Sequence, residues 1–172
     1  ILEKANNGTL FIDEVADMPM ETQGSILRVL QDQRFYRVGG SSEVIVDIRV
    51  VSATSKDLVK QIDDGKFRED LFHRLSVVPI KIPPLTDRRE DIPILAKSFM
   101  ETTAKNIGFA PRNMSEDAIA VLQSKNWSGN VRELRNLIER LLIMAPGNKQ
   151  EPIRPEMIPP EAISDSTNTF RH

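Results

Sequence analysis

Cysteine is missing from all 172 residues. Disulfides and thiolate metal sites are therefore excluded, and a reducing setting such as the cytosol is the expected compartment. Histidine is scarce: there are two, and His73 has no second ligand type spaced near it, which argues against a metal site there. An excess of positive charge is also lacking. Lysine and arginine number 23 against 25 aspartates and glutamates, for a net charge of −2, so no global basic field argues for direct nucleic-acid binding. No apolar run approaches a membrane span, no secretory leader is visible, and there is no internal repeat. The chain opens at Ile1 rather than at a methionine and is expected to belong to a longer protein. Its length suits one mid-sized domain, or a core with a small second unit.

What is present is concentrated in Gly8-Thr9-Leu10-Phe11-Ile12-Asp13-Glu14, an apolar run that ends abruptly in two adjacent carboxylates. Without polar alternation, such a run predicts a strand buried on both faces, as in the middle of a parallel sheet. Two acids at its carboxyl end lie where open α/β sheets bind ligands. The first can hold Mg²⁺ and the second can polarise a water, the two tasks of phosphoanhydride hydrolysis. The string resembles a Walker B motif.

Residues 1 to about 83 alternate strand-like and helix-like segments, which predicts an α/β sheet domain. Gln23, Ile26, Leu27 and Leu30 fall at helical spacing on one largely apolar face. Residues 35–38 and 43–46 read as a hairpin around Gly39-Gly40, and 48–54 as a second buried strand. Lys56 to Arg74 is helical in pattern but broken near Gly65, and Val77 to Ile82 reads as a third strand, at an edge or bulged because of Pro79. Pro83-Pro84 marks a boundary, after which the period is helical throughout. One amphipathic helix carries Ile92 to Met100 with Pro93 in its first turn, and Ser115 caps a second. Asn130 is expected to cap a third, with Glu133 in the capping-box position. From about residue 148 the chain is proline-rich and then polar, and reads as a linker.

Five strings carry a closer likeness: Gly8 to Val15, Arg34 to Gly40, Phe67 to Leu75, Pro83 to Ile92 and Trp127 to Leu134. In content and order they resemble the central AAA+ domain of bacterial enhancer-binding activators of sigma-54 RNA polymerase, over essentially residues 1–145. Thr22-Gln23-Gly24, Ser52 to Ser55 and Leu141 to Pro146 look most like the NtrX-type response regulators of two-component systems. The resemblance implies an α/β core fragment over 1–83, a helical lid over 84–147, and a linker over 148–172 leading to a DNA-binding domain. It implies ATP and Mg²⁺ as cofactors, with Asp13 as metal ligand and Glu14 as the residue that activates water. Thr54 and Ser55 match the sensor I position, Arg132 matches sensor II, and Arg68 and Arg74 match arginine fingers offered to a neighbouring subunit. Many relatives carry asparagine where this chain has Ser55, whose side chain is shorter and has no amide. Arg68 and Arg74 lie six residues apart, roughly 240° around a helix, so they do not share a face. Alone, either would read as a surface charge paired with Glu69 or Asp70. The glycine turn over 37–42 matches a loop that in relatives moves with one pressing on the sigma factor.

No Gly-x-x-x-x-Gly-Lys-Ser/Thr string occurs, so the phosphate cradle is absent from these residues and the segment alone is expected to be inactive. Three functions follow from the resemblance. The first is a cytoplasmic ATPase that forms rings and remodels sigma-54 RNA polymerase, with DNA bound through a helix-turn-helix and a sensor histidine kinase met through a receiver domain. The second is a nucleotide-sensing or dimerisation module of an NtrX-like DNA-binding regulator. The third, another AAA+ machine such as a helicase loader, does not explain the Phe67–Leu75 and Trp127–Leu134 strings together.

Overall fold

The structure, a computed structural model, describes residues 1–37, 39–148 and 150–160. It divides into two units, one spanning Ile1–Ile80 and one beginning at Lys81. Among the described residues no helix is long and apolar enough to cross a membrane.

The first unit is built on two parallel strands, β1 (Gly8–Ile12) and β4 (Ile48–Ser52), in the register Gly8↔Ile48 through Ile12↔Ser52. Helix α1 (Met20–Asp32) connects β1 to an antiparallel hairpin, β2 (Arg34–Tyr36) and β3 (Glu43–Ile45), which leads back into β4. Helices α2 (Leu58–Asp63) and α3 (Glu69–Leu75) follow, separated at Gly65, whose φ of +69° ends the first of them. Leu27 and Leu30 of α1 pack with Val15, Phe67 and Leu71, and Ile12 of β1 lies against this cluster. That is the layer a half-apolar helix must form on a sheet.

Two expectations fail in this unit. Strand β1 is not buried on both faces: Phe11 is 59% exposed and its register partner Val51 42%, because the described residues lay helices against one face only. Val77 to Ile82 forms no strand; Val77, Val78, Ile80 and Ile82 are all exposed. A strand exists only where a neighbour supplies its ladder bonds, and among the described residues none lies beside this segment.

The second unit is helical. Its core is formed by α4 (Ile92–Ile107), α5 (Glu116–Ser124) and α6 (Asn130–Met144). Ile92, Ala96, Met100, Leu122, Trp127 and Ile138 meet in it, each at most 2% exposed. Pro93 sits in the first turn of α4, and Ser115 Oγ accepts the Ala118 N–H as a true N-cap. Asn130 does not cap α6. Its φ is +51°, and its side-chain oxygen accepts the Leu85 N–H at 2.8 Å, so the turn before α6 is tied to the chain entering the unit. Glu133 still closes the first turn, but onto the Gly129 N–H at 2.9 Å, one residue earlier than expected. A Cβ on Gly129 would come within 2.9 Å of Glu133 Cβ, which is why glycine stands there.

The expected linker is also not free where it is described. Ile153 and Ile158 are 0% and 2% exposed, and Ile153 bridges in parallel to Met114. Buried Arg112 holds this segment by donating to the carbonyls of Ala145 and Glu151, each at 3.1 Å. Composition suggested a polar tether; two buried isoleucines and one arginine donating to the carbonyls of Ala145, Pro146 and Glu151 decide otherwise. Residues 161–172 of the expected linker lie outside the described residues.

Candidate functional site

The parallel register sets the site. Because Ile12 pairs with Ser52, the two chains leave the sheet side by side, and Ala53 N–H to Ile12 O and Val15 N–H to Ala53 O, both 2.9 Å, extend the pairing past the strand ends. Asp13 and Glu14 are thereby placed next to Thr54 and Ser55. Asp13 is exposed, and one of its carboxylate oxygens accepts the Glu14 N–H at 3.1 Å. Glu14 adopts the left-handed conformation, φ 45° and ψ 54°, which is uncommon for a residue with a Cβ. That turn sends its carboxylate back across the strand end, where Oε2 accepts the Ser55 N–H at 3.0 Å.

This contact tunes the acid. The Ser55 main-chain N–H, then the Ser55 hydroxyl, hold the Glu14 carboxyl below the ordinary glutamate value; desolvation and the nearby Asp17 push the other way, and the Thr54 hydroxyl adds a smaller lowering. Around this centre, Lys56 Nζ forms an ion pair with Asp17, and the Lys56 N–H donates to Thr54 Oγ1 at 3.1 Å. The pair ties the segment after Glu14 to the segment after Ser55. Neither Lys56 nor Asp17 stands out in the sequence as a site residue, since each is a lone charge in a polar stretch.

The two arginines of α3 have different surroundings. Arg68, the residue before the helix, donates from Nε and Nη2 to both oxygens of Asp70 at 2.9 and 2.7 Å, and both side chains are roughly half exposed. The Asp70 contact raises the Arg68 pKa further and lowers that of Asp70. Arg74 instead donates from Nε and Nη2 to the carbonyl of Leu30, at 3.2 and 2.7 Å. Among the described residues no hydrogen bond or ion pair joins either arginine to Asp13 or Glu14. Arg132 lies in the second unit, exposed on the first turn of α6.

Sequence reasoning also missed the role of Gln23, which it placed only on an apolar helix face. Gln23 is completely buried and uses every hydrogen-bonding group of its amide: Nε2 donates to Met18 O at 2.8 Å and Lys66 O at 3.0 Å, and Oε1 accepts the Arg68 N–H at 2.9 Å. The signal was a polar residue in line with Ile26, Leu27 and Leu30, which helical periodicity alone places on the apolar face.

Comparison with known proteins gives this geometry its family. Residues 1–81 match the family model described as the Sigma-54 interaction domain, and residues 86–172 match the AAA+ ATPase lid domain. The nitrogen assimilation regulatory protein NtrX of Azorhizobium caulinodans is 54% identical over 160 residues, 93% of this chain and 35% of that protein. The DNA-binding transcriptional regulator NtrC of Escherichia coli K12 is 47% identical over 147 residues, 86% of this chain and 31% of that protein. The crystal structure of Brucella abortus NtrX in complex with ATP superimposes with a TM-score of 0.85 at 52% identity, covering 94% of this chain and 38% of that one. The chain thus spans about a third of the length of the relatives it matches. Two adjoining family matches and relatives near half identity agree with the α/β core and helical second unit: the chain belongs to the AAA+ sigma-54 activator family.

Proposed function

We propose that this chain is the part downstream of the phosphate-binding loop of an ATP-hydrolysing activator that assembles into a ring and remodels sigma-54 RNA polymerase. One observation carries the reading. The register that sets Asp13-Glu14 beside Thr54-Ser55 makes one unit of the hydrolytic acid and the residues that sense the nucleotide, through Glu14 Oε2 and the Ser55 N–H. That coupling uses the main chain of residue 55, so it does not depend on the side-chain amide that serine lacks.

The donor set suits ATP·Mg²⁺. Asp13 offers one exposed carboxylate at the strand end, and among the described residues no group of three or more His, Cys, Asp or Glu side chains is placed to hold a metal. Mg²⁺ is commonly held in this way, through one or two carboxylates with phosphates and waters completing its shell. When bound, it neutralises charge on the phosphates. Asp13 anchors the ion, Glu14 holds and activates a water, and Thr54-Ser55 orient Glu14. Arg132 contacts the nucleotide from the lid. Arg68 and Arg74 act in trans on a neighbour's nucleotide, which makes hydrolysis depend on assembly. DNA, reached through a helix-turn-helix, and a sensor histidine kinase, met through a receiver domain, are the partners of the intact cytoplasmic regulator.

The second reading, a nucleotide-sensing or dimerisation module, is favoured by one observation: both guanidinia are already engaged within the chain, by Asp70 and by Leu30 O. Mixing experiments on the intact protein separate the two. Arg68→Ala or Arg74→Ala subunits, and Glu14→Gln subunits, should each hydrolyse slowly alone, and an equimolar mixture of a finger variant with Glu14→Gln should recover about a quarter of the wild-type rate, from sites that pair a sound Glu14 with a neighbour's sound arginine. Failure of the mixture to exceed the sum of its parts would favour the sensing module.

A further inference from the structure

We infer that Gln23 is the positioning residue for Arg68: it sets the main chain from which that arginine reaches a neighbouring subunit, and joins it to the segment leaving Glu14. The inference rests on the reading of Arg68 as a finger used in trans.

The geometry is specific. Gln23 stands in the first turn of α1 and is 0% exposed. A buried primary amide is costly unless all its groups are matched, and here all are, by three main-chain atoms from two other segments. Met18 closes the turn after Asp13-Glu14, through Met18 N–H to Val15 O. Lys66 and Arg68 bracket Phe67, whose side chain is buried against Leu27 and Leu71. The Arg68 N–H precedes α3 and has no acceptor within that helix, because the first amides of a helix never do. Gln23 Oε1 supplies it. Asp70, which would serve an N-cap role from other positions, is occupied with the Arg68 guanidinium and the Leu71 N–H.

Arg68 is exposed at its tip and fixed at its root. Asp70 holds the guanidinium through a solvent-facing ion pair that an approaching phosphate can displace, whereas the root has no slack. A finger needs this division, since misplacement of a catalytic group by about 1 Å can cost on the order of 100-fold in rate. A glutamine that served only to fill the core would be replaceable by methionine with retention of finger function. A positioning glutamine is not.

The test uses the intact protein. Gln23→Met keeps length and burial and removes all three bonds. Alone, it should bind ATP normally and hydrolyse it on the order of 100-fold more slowly. Its own Asp13 and Glu14 remain sound, so equimolar mixing with Glu14→Gln subunits, which keep a good finger, should raise the rate to about a quarter of wild type, the share of sites with a sound acid and a sound donor. In parallel, amide exchange at Arg68 should quicken while the Phe72 amide, bonded to Arg68 O within α3, stays protected. General loosening would quicken both. Arg68→Ala mixed with Glu14→Gln is the control. If the control recovers and Gln23→Met does not, Gln23 does not position the finger. If the control itself fails to recover, Arg68 is no finger, and this inference falls with that reading. Should Gln23→Met lack a cooperative melt, Gln23→Asn decides by the same mixing; it keeps a polar amide in the pocket but withdraws it by about 1.5 Å.

Discussion

Arg74→Ala should destabilise the first unit, while Arg68→Ala should not. Helix α1 ends at Asp32, where Gln33 turns left-handed and its N–H bonds to Val29 O. The next carbonyl, Leu30 O, receives no main-chain N–H among the described residues, as is usual for the last turn of a helix. The Arg74 guanidinium fills that place with two N–H groups on one oxygen. A net hydrogen bond from a charged donor contributes about 1.5–3 kcal/mol in protected surroundings. A cation at a helix C-terminus adds about 0.3–1 kcal/mol. Arg74 is exposed, so the lower ends apply and the expected loss is about 1–2 kcal/mol. For a unit the size of Ile1–Ile80 that corresponds to a midpoint shift of about 5–15 °C. Arg68 contacts only a half-exposed carboxylate two residues away, and its removal should leave the melt unchanged. Thermal melts followed by far-UV circular dichroism decide it. Arg74→Ala melting together with Arg68→Ala would refute the anchoring role, and any loss of activity in Arg74→Ala could then be assigned to the finger alone.

Further outcomes follow from the same contacts. The Glu14 carboxyl has a folded-state pKa below its unfolded value, so its contribution to stability is full above the unfolded pKa and is lost as pH falls through the folded one. Urea midpoints taken from about pH 6 to about pH 3 should therefore fall more steeply in wild type than in Glu14→Gln, and parallel curves would deny the Ser55 contact. Trp127, 1% exposed and donating Nε1–H to Leu122 O at 2.9 Å, should lose about 3–5 kcal/mol on truncation to alanine, read by denaturant unfolding of the helical unit. Gly129→Ala forces a Cβ onto Glu133 and should cost about 1–3 kcal/mol in the same assay; an unchanged midpoint would mean that α6 starts differently.

What the sequence made legible was local or carried by motif. The acids of Asp13-Glu14 end β1 as expected, because strand and motif are contiguous, and the parallel register then brings Thr54-Ser55 to them. The helices at 92–107, 116–124 and 130–144 follow from periodicity and from Ser115. The misses are all non-local. Val77 to Ile82 has the composition of a strand, but pairing is a property of the neighbour. Asn130 has the chemistry of an N-cap, yet its oxygen is taken by Leu85, 45 residues earlier. Arg68 and Arg74 look equivalent in the string Phe67 to Leu75, and only the fold shows that one faces a carboxylate and the other a carbonyl 44 residues away. Spacing put Gln23 on the apolar face, but its three partners are main-chain atoms, which leave no trace in the letters.

On the proposed function, Glu14, tied to Ser55 in one chain, hydrolyses ATP only when another chain supplies an arginine. The measurement that decides it is the ATPase rate per subunit of the intact protein against protein concentration, beside Glu14→Gln. In wild type the rate should rise with concentration toward a plateau. In the variant, nucleotide binding is retained and the rate falls by about 10²–10⁴, the usual contribution of a positioned general base. A rate near zero at every concentration in both proteins would contradict it, as would equal loss of binding and turnover in the variant.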